Sequence, residues 1–203
     1  MTKIPIICLL AILTFGACSQ KKSTCTYQTD PKAIQMTWTA FKFTEKSAVK
    51  GRFNKLQAMG PSSADSLEKL ITGLHMDIDG ASVETDNPAR NATIQQFFFE
   101  KFNPAFAIHA MATKLEGDEQ KGTLTIHVKM NGVAKEVAFP YTVNAEGLLE
   151  AKGTIDMLDF GLQPAFDSLH QACEDLHKGK DGISKTWTQV DLSVSGRFQK
   201  SCS

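Results

Sequence analysis

The sequence predicts an all-β chain, an eight-stranded antiparallel barrel of the up-and-down kind with one or two short helices in its connections, and three observations predict it. Apolar and polar residues alternate with period two near 34–43, 47–56, 70–79, 106–115, 122–130, 133–143, 148–158 and 186–198. In the cleanest runs Leu124, Ile126, Val128 and Met130 alternate with Thr125, His127 and Lys129, and Val190, Leu192 and Val194 with Asp191, Ser193 and Ser195. One apolar and one wet face per strand is the mark of antiparallel strands buried on a single side. Asn131-Gly132 stands between two runs, and both residues accept positive φ, which is the strongest short hairpin signal. Closing eight hairpin-linked strands into a barrel leaves no exposed edge. At that strand number the interior is either filled by side chains or holds one small ligand, and both stay open here.

From the N-terminus, residues 1–17 carry one charge, Lys3, then an apolar run from Ile4 to Phe15 and the small residues Gly16 and Ala17. The run is too short to span a bilayer as a mature helix and reads as a signal peptide. Phe15-Gly16-Ala17-Cys18 resembles a bacterial lipobox, which makes Cys18 the lipidation site and the first mature residue. Residues 18–30 are small, polar and charged, as suits a tether between a lipidated cysteine and a folded domain spanning 31–203. The expected location is outside the cytoplasm, as a membrane-anchored lipoprotein facing the periplasm or cell surface.

The full chain has 22 basic and 22 acidic residues, and cleavage after Ala17 removes one base and no acid. Such a balance gives no electrostatic case for nucleic acid or for an anionic membrane surface, so membrane attachment is expected through lipid. About 170 residues fit one domain with a sizeable core, as a monomer or dimer. Cys25 and Cys202 sit just outside the first and last strands, neighbours in a closed barrel, so a disulfide between them is expected in an oxidising compartment. Cys173 is then the odd thiol. It belongs to a helix read from Phe166, Leu169, Cys173 and Leu176 at helical spacing over 164–178, with Gly179 as a stop. A second short helical turn is read at 63–70.

The stretch 81–104 reads as a polar loop with an aromatic plug of Phe97, Phe98, Phe99 and Phe102. Burying one such side chain is worth about 1.5–3 kcal/mol, so most of them must be inside. They either close one end of a core or line the mouth of an apolar cavity.

No Gly-x-Ser-x-Gly elbow, His-Glu-x-x-His pair or glycine-rich phosphate loop occurs, and no catalytic residue, metal ligand or cofactor is assigned. His170, Cys173 and His177 share one helix face, which leaves a small metal or redox site as a remote reading beside a structural one.

Ser82-Val83-Glu84-Thr85, Ala89-Arg90-Asn91 and Phe97 to Pro104 together resemble the YceI-like family, whose pattern runs Ser-Ile-x-Thr, Arg-Asp, Asp-Phe-Phe-Asp and Tyr-Pro. Met36-Thr37-Trp38-Thr39 with Val49 to Phe53, Gly122 to Ile126 with Asn131 to Val137, and Asp159-Phe160-Gly161-Leu162 extend the resemblance over most of the mature chain. It departs at Asn91, where the family has Asp, and at Ala134, where it has Thr. The resemblance implies a lipocalin-like barrel with an elongated cavity that binds polyisoprenoid or related amphiphilic lipids, and no catalytic residues. The expected cavity wall is Trp38, Met76, Ile78, Ile108, Ile126 and Val128, continued by Phe139, Tyr141, Ile155, Leu192 and Val194. Phe97 and Phe98 are expected at its entrance. Arg90 is read either as a head-group contact or as the residue holding its loop shut, and Lys135 as a rim contact or a snorkelling side chain. The competing function is a protein-interaction module, its barrel filled, docking a partner through the 81–104 loop.

Overall fold

The computed structural model describes residues 24–203, so the expected signal segment 1–17 and the expected lipidation site Cys18 lie outside the described residues. The strands are β1 (Cys25–Thr29), β2 (Gln35–Lys42), β3 (Ser47–Phe53), β4 (Leu56–Met59), β5 (Ser63–Ala64) and β6 (His75–Asp79). They continue with β7 (Val83–Glu84), β8 (Ala107–Gly117), β9 (Lys121–Met130), β10 (Val133–Val143), β11 (Leu148–Asp156) and β12 (Gln189–Cys202). Three short helices interrupt them, α1 (Leu67–Thr72), α2 (Pro88–Phe97) and α3 (Gln163–Ala172).

All pairings are antiparallel, and the curled sheet runs β4-β6-β8-β9-β10-β11-β12-β2-β3-β7, with β1 beside β12 and β5 beside β1. The β9–β10 hairpin turns on Asn131 and Gly132, with φ of 52° and 73°, and puts Met130 opposite Val133. Gly147, with φ of 76°, makes the turn into β11, where the Asn144 carboxamide oxygen accepts from the N–H groups of Glu146 and Leu148.

Twelve strands replace the eight expected, for local reasons. The expected strand 47–56 breaks after Phe53, because the N–H groups of Asn54 and Lys55 bond to the Ser82 carbonyl and hydroxyl, each at 2.9 Å. The chain restarts as β4, so β3 pairs with β7 and β4 with β6. The expected strand 70–79 begins as helix: Leu67, Leu70 and Ile71 are buried at helical spacing, and the Ser66 hydroxyl caps the first turn from Lys69 N–H. Only His75–Asp79 is strand. The helix expected over 164–178 stops at Ala172, a 3-10 turn follows over 175–177, and Leu176 is 70% exposed.

Within the stretch 18–30 expected as a tether, residues 25–29 form a strand along the end of β12, from Cys25 opposite Cys202 to Thr29 opposite Phe198. Its alternation is too brief to count from sequence alone. Tyr27 is buried, and its hydroxyl donates to Glu119, whose carboxylate also accepts from Lys200 at 2.6 and 2.8 Å. Glu119 is held below the usual carboxylate range by Lys200 and Tyr27. Cys25 and Cys202 form a disulfide across 177 residues, and Cys173 is free and buried.

Constraining so long a loop stabilises chiefly by restricting the unfolded chain. Replacing both Cys25 and Cys202 by Ser is expected to cost about 2–5 kcal/mol in denaturant unfolding. An unchanged midpoint between the oxidised wild type and the double variant would mean that the staple is not formed.

Candidate functional site

The inner face of the sheet encloses an apolar cavity of about 160 Å³. Its wall takes Trp38 from β2, Met76 and Ile78 from β6, Ile108 from β8, and Ile126 and Val128 from β9. Phe139 of β10, Ile155 of β11, and Leu192 and Val194 of β12 complete the ring. Strand alternation places all of them on one face, as the sequence periodicity leads one to expect. Two glycines let large rings lie flat on this wall. Gly51, opposite Trp38, has the indole where a Cβ would be, and a Cβ on Gly153 would come within 2.9 Å of the Phe139 ring.

One end is packed by Leu70, Ile71, Leu149 and Phe198, around a second apolar space of about 50 Å³. Tyr141 belongs to this end: it is buried, donates to the Asp118 carbonyl at 2.6 Å, and is absent from the cavity wall, contrary to expectation. The other end is roofed by Ile94 of α2, Phe166 and Leu169 of α3, Thr186 and Trp187. Phe98, Phe99 and Phe102 line the cavity beneath this roof and are buried, with centroids 5.2 Å apart in each pair. Phe99 continues into the wall by an edge contact with Phe53 at 5.7 Å. Phe97, expected at the entrance, closes α2 outside the cavity lining, so Phe99 and Phe102 take the place assigned to it. With three of the four rings buried, the docking surface that the competing reading requires is largely used up inside.

The 81–104 segment is more ordered than a loop. Asn87 caps α2 from Arg90 N–H, and Pro88 stands in the first turn. That Asn-Pro pair was a legible helix start, but no residue of α2 is fully buried, so no apolar stripe announced it. Polar contacts hold the helix instead. Buried Thr85 donates its hydroxyl and N–H to the Asn91 carboxamide oxygen at 2.6 and 2.9 Å, and the Asn91 amide donates to Glu84 at 3.0 Å. Arg90 donates to the Thr85 hydroxyl at 3.0 Å and carbonyl at 3.3 Å. Arg90 therefore clamps its own segment and does not face the cavity, while Asp86 pairs with Arg52 at 3.2 Å. Lys135 is exposed on β10, also off the cavity wall. A second clamp centres on Asn131, whose amide donates to the carbonyls of Phe160 and Gly161 and whose oxygen accepts from Asn103 N–H.

Beside the roof, the Nδ1 atoms of His170 and His177 lie 2.9 and 2.7 Å from the Thr186 hydroxyl. Burial, with Lys42 and His170 nearby, pushes His177 down to about 4. Burial raises the Cys173 thiol, which disfavours the reactive thiolate. Both imidazoles thus turn to a threonine, and no group of three metal-ligating side chains occurs among the described residues. No helix among them is long and apolar enough to cross a membrane.

A family model for the YceI-like domain matches residues 27–198. The chain belongs to the YceI-like family. Solved structures with the same fold include a polyisoprenoid-binding domain from Saccharophagus degradans implicated in plant cell wall breakdown, at 14% identity and a TM-score of 0.59, covering 85% of this chain and 97% of that one. Burkholderia cenocepacia BcnA aligns at 15% identity and 0.57, covering 84% and 99%. A Campylobacter jejuni YceI protein aligns at 20% and 0.53, covering 80% and 90%. A comparison with curated proteins found no match. In this YceI-like chain the motif residues Thr85, Arg90, Asn91, Asn131 and Gly161 serve as clamps on the roofed end, not as cavity wall.

Asn91 differs from the carboxylate that the family resemblance sets at this position, and the reason is next to it: an Asp there would face Glu84. Asn91→Asp is expected to lower the melting temperature at pH 7, with the deficit shrinking at acidic pH and on adding Glu84→Gln. Equal melting of Asn91→Asp and wild type at pH 7 would count against the clamp. For His177, the folded imidazole stays neutral down to about 4 while the unfolded one takes its proton near 6.5. Its contribution is therefore fully present above 6.5 and lost as pH falls toward 4. His177→Gln is expected to flatten that part of the melting-temperature profile, and an unchanged slope would refute the assignment.

Proposed function

We propose that this protein is a lipid-binding module, not an enzyme, which takes the apolar tail of an isoprenoid-like or fatty amphiphile into the cavity under α2 and α3. The observation that carries the reading is the lining itself: every residue but Thr186 is apolar or aromatic, and none is charged. Desolvating a tail in such a space contributes about 0.8 kcal/mol per methylene. A polyisoprenoid-binding domain of the same fold supports the choice of ligand class. We read the curled sheet as a closed wall of eight staves, in which β3 with β4 and β6 with β7 are two bent staves paired along their length.

The cavity is smaller than the roughly 300–1,000 Å³ common for ligand pockets. A long tail therefore requires the lining to yield. Met36, Met76, Met130 and Met157 are the side chains suited to that, being unbranched and polarizable. Entry at the roofed end asks least of the fold, because α2 is held by polar contacts and fully buries no side chain. Export, lipidation at Cys18 and a membrane-anchored position facing the periplasm or cell surface complete the reading. They rest on residues 1–18.

The test is to produce residues 19–203 in a bacterial periplasm, purify without detergent and record native and lipid mass spectra. One tightly held amphiphile per chain is expected, and Ala110→Phe, which fills the cavity from β8, is expected to lose it at an overpacking cost of about 1–3 kcal/mol. A wild-type chain that emerges empty and takes up neither isoprenoids nor fatty acids in vitro ends the lipid reading.

A further inference from the structure

Next to the cavity mouth lies a polar recess of about 450 Å³ that shares Phe166, Thr186 and Trp187 with the cavity. The rest of its lining is His170, Ser184, Lys185, Thr188 and Gln189. An apolar cavity and a polar recess set on either side of a common wall match the two ends of an amphiphile. We propose that this recess is a head-group site, and that the head it takes carries an oxyanion, a carboxylate or a phosphate. The proposal rests on the lipid-binding reading above and adds the chemistry of the other end of the ligand.

Three observations point to that chemistry. First, the Ser184 hydroxyl is shielded from solvent and has no hydrogen-bond partner among the described residues. A buried hydroxyl left unpaired costs about 1–3 kcal/mol, so this one has a hydrogen bond left to make, and its O–H can donate it. Second, the Thr186 hydroxyl has a single proton and contacts two imidazole Nδ1 atoms, at 2.9 and 2.7 Å. It can donate to only one of them. The ring that accepts from Thr186 must carry its own proton on Nε2, and where that ring is His170, which lines the recess, the atom is a further donor there.

The third observation is charge. No acidic residue lines the recess, whereas Lys185 does. The ammonium groups of Lys46 and Lys185 lie 5.0 and 5.2 Å from the Trp187 ring centroid, at the wall common to recess and cavity. The nearby acids are engaged: Asp156 accepts from the Thr188 hydroxyl at 2.9 Å and Asp181 from the Thr44 hydroxyl at 2.5 Å. Gln189 accepts from Lys46 at 3.3 Å, so its carbonyl is also turned to a cation. Among the residues lining the recess, Lys185 supplies a positive charge and no carboxylate opposes it, which suits an oxyanion.

Three probes with one common tail separate tail binding from head binding: farnesene, farnesoic acid and farnesyl phosphate, titrated into residues 19–203 freed of lipid. The chain's two tryptophans report both compartments, Trp38 in the cavity wall and Trp187 at the junction. At least one of the two acids is expected to bind about tenfold or more tightly than farnesene, a gain of the size one charge-assisted hydrogen bond supplies. Which acid wins names the head. The mild double variant Ser184→Ala with Lys185→Gln is expected to bring the acids to within about threefold of farnesene and to leave farnesene itself unchanged. Equal binding of all three probes by the wild type, or full discrimination kept by the double variant, overturns the head-group site while the tail cavity stands. Binding of none of the probes overturns both.

Discussion

The antiparallel ladder that runs from β6 through β8, β9, β10, β11 and β12 to β2 and β3, with one register shift in β8 between Ala112 and Lys114, is the constraint on which the rest of the molecule depends. Each backbone N–H and C=O in it must find its partner across the sheet, so successive side chains are forced to opposite faces. Curling the sheet then gathers one parity of every strand around a common interior. Leu192 faces Trp38, and Val128 faces Ala110, only because the register permits no other choice: a slip by one residue would turn the whole apolar set outward. The void in the middle follows from the same geometry. Gly51 and Gly153 let the Trp38 and Phe139 rings lie against the wall, where side chains at those positions would push them toward the centre.

The two ends of this frame are built by different physics. At the packed end, burial dominates: Leu70, Ile71, Tyr141 and Phe198 are enclosed, and the Cys25–Cys202 bridge ties the first strand to the last. At the roofed end the ladder has run out, and single side chains bonded to backbone groups do the holding. Asn131 joins the β9–β10 turn to the segments before α3 and after α2, and Asn91 with Arg90 ties α2 to β7 through Thr85. Such clamps are directional and few, so they can be broken without unpairing the wall. Stiffness around the tail and looseness at the mouth therefore coexist in one small domain.

The polar side of the roof is no accident of surface composition. His170 and His177 come from different turns of the 163–177 segment and meet on Thr186, which is contributed by the segment leading into β12. In this way a polar recess is placed against a cavity whose own lining offers almost no polar atom. The indole N–H of Trp38 is the exception inside, buried and without a partner among the described residues.

Alternation along the chain was sufficient to determine the antiparallel class, the turn at Asn131-Gly132 and most of the cavity wall, because strand periodicity is a local property that a one-dimensional pattern can carry. Broken strands were not legible in it. The stretch 47–56 reads as one alternating segment, and only the approach of Ser82 from another part of the chain interrupts it. α2 escaped notice for the opposite reason, since its hold is polar and leaves no apolar stripe. Arg90 was open between a head-group contact and a clamp on its own loop, because which way a side chain points at a strand end or a cap is decided by its partners in space. So it was with Phe97 against Phe99, with Tyr141 at the packed end, and with the recess, whose residues converge from α3 and the 184–189 segment. Periodicity settles which face a residue is on; only the tertiary structure decides how far along the tube it sits and what it meets there.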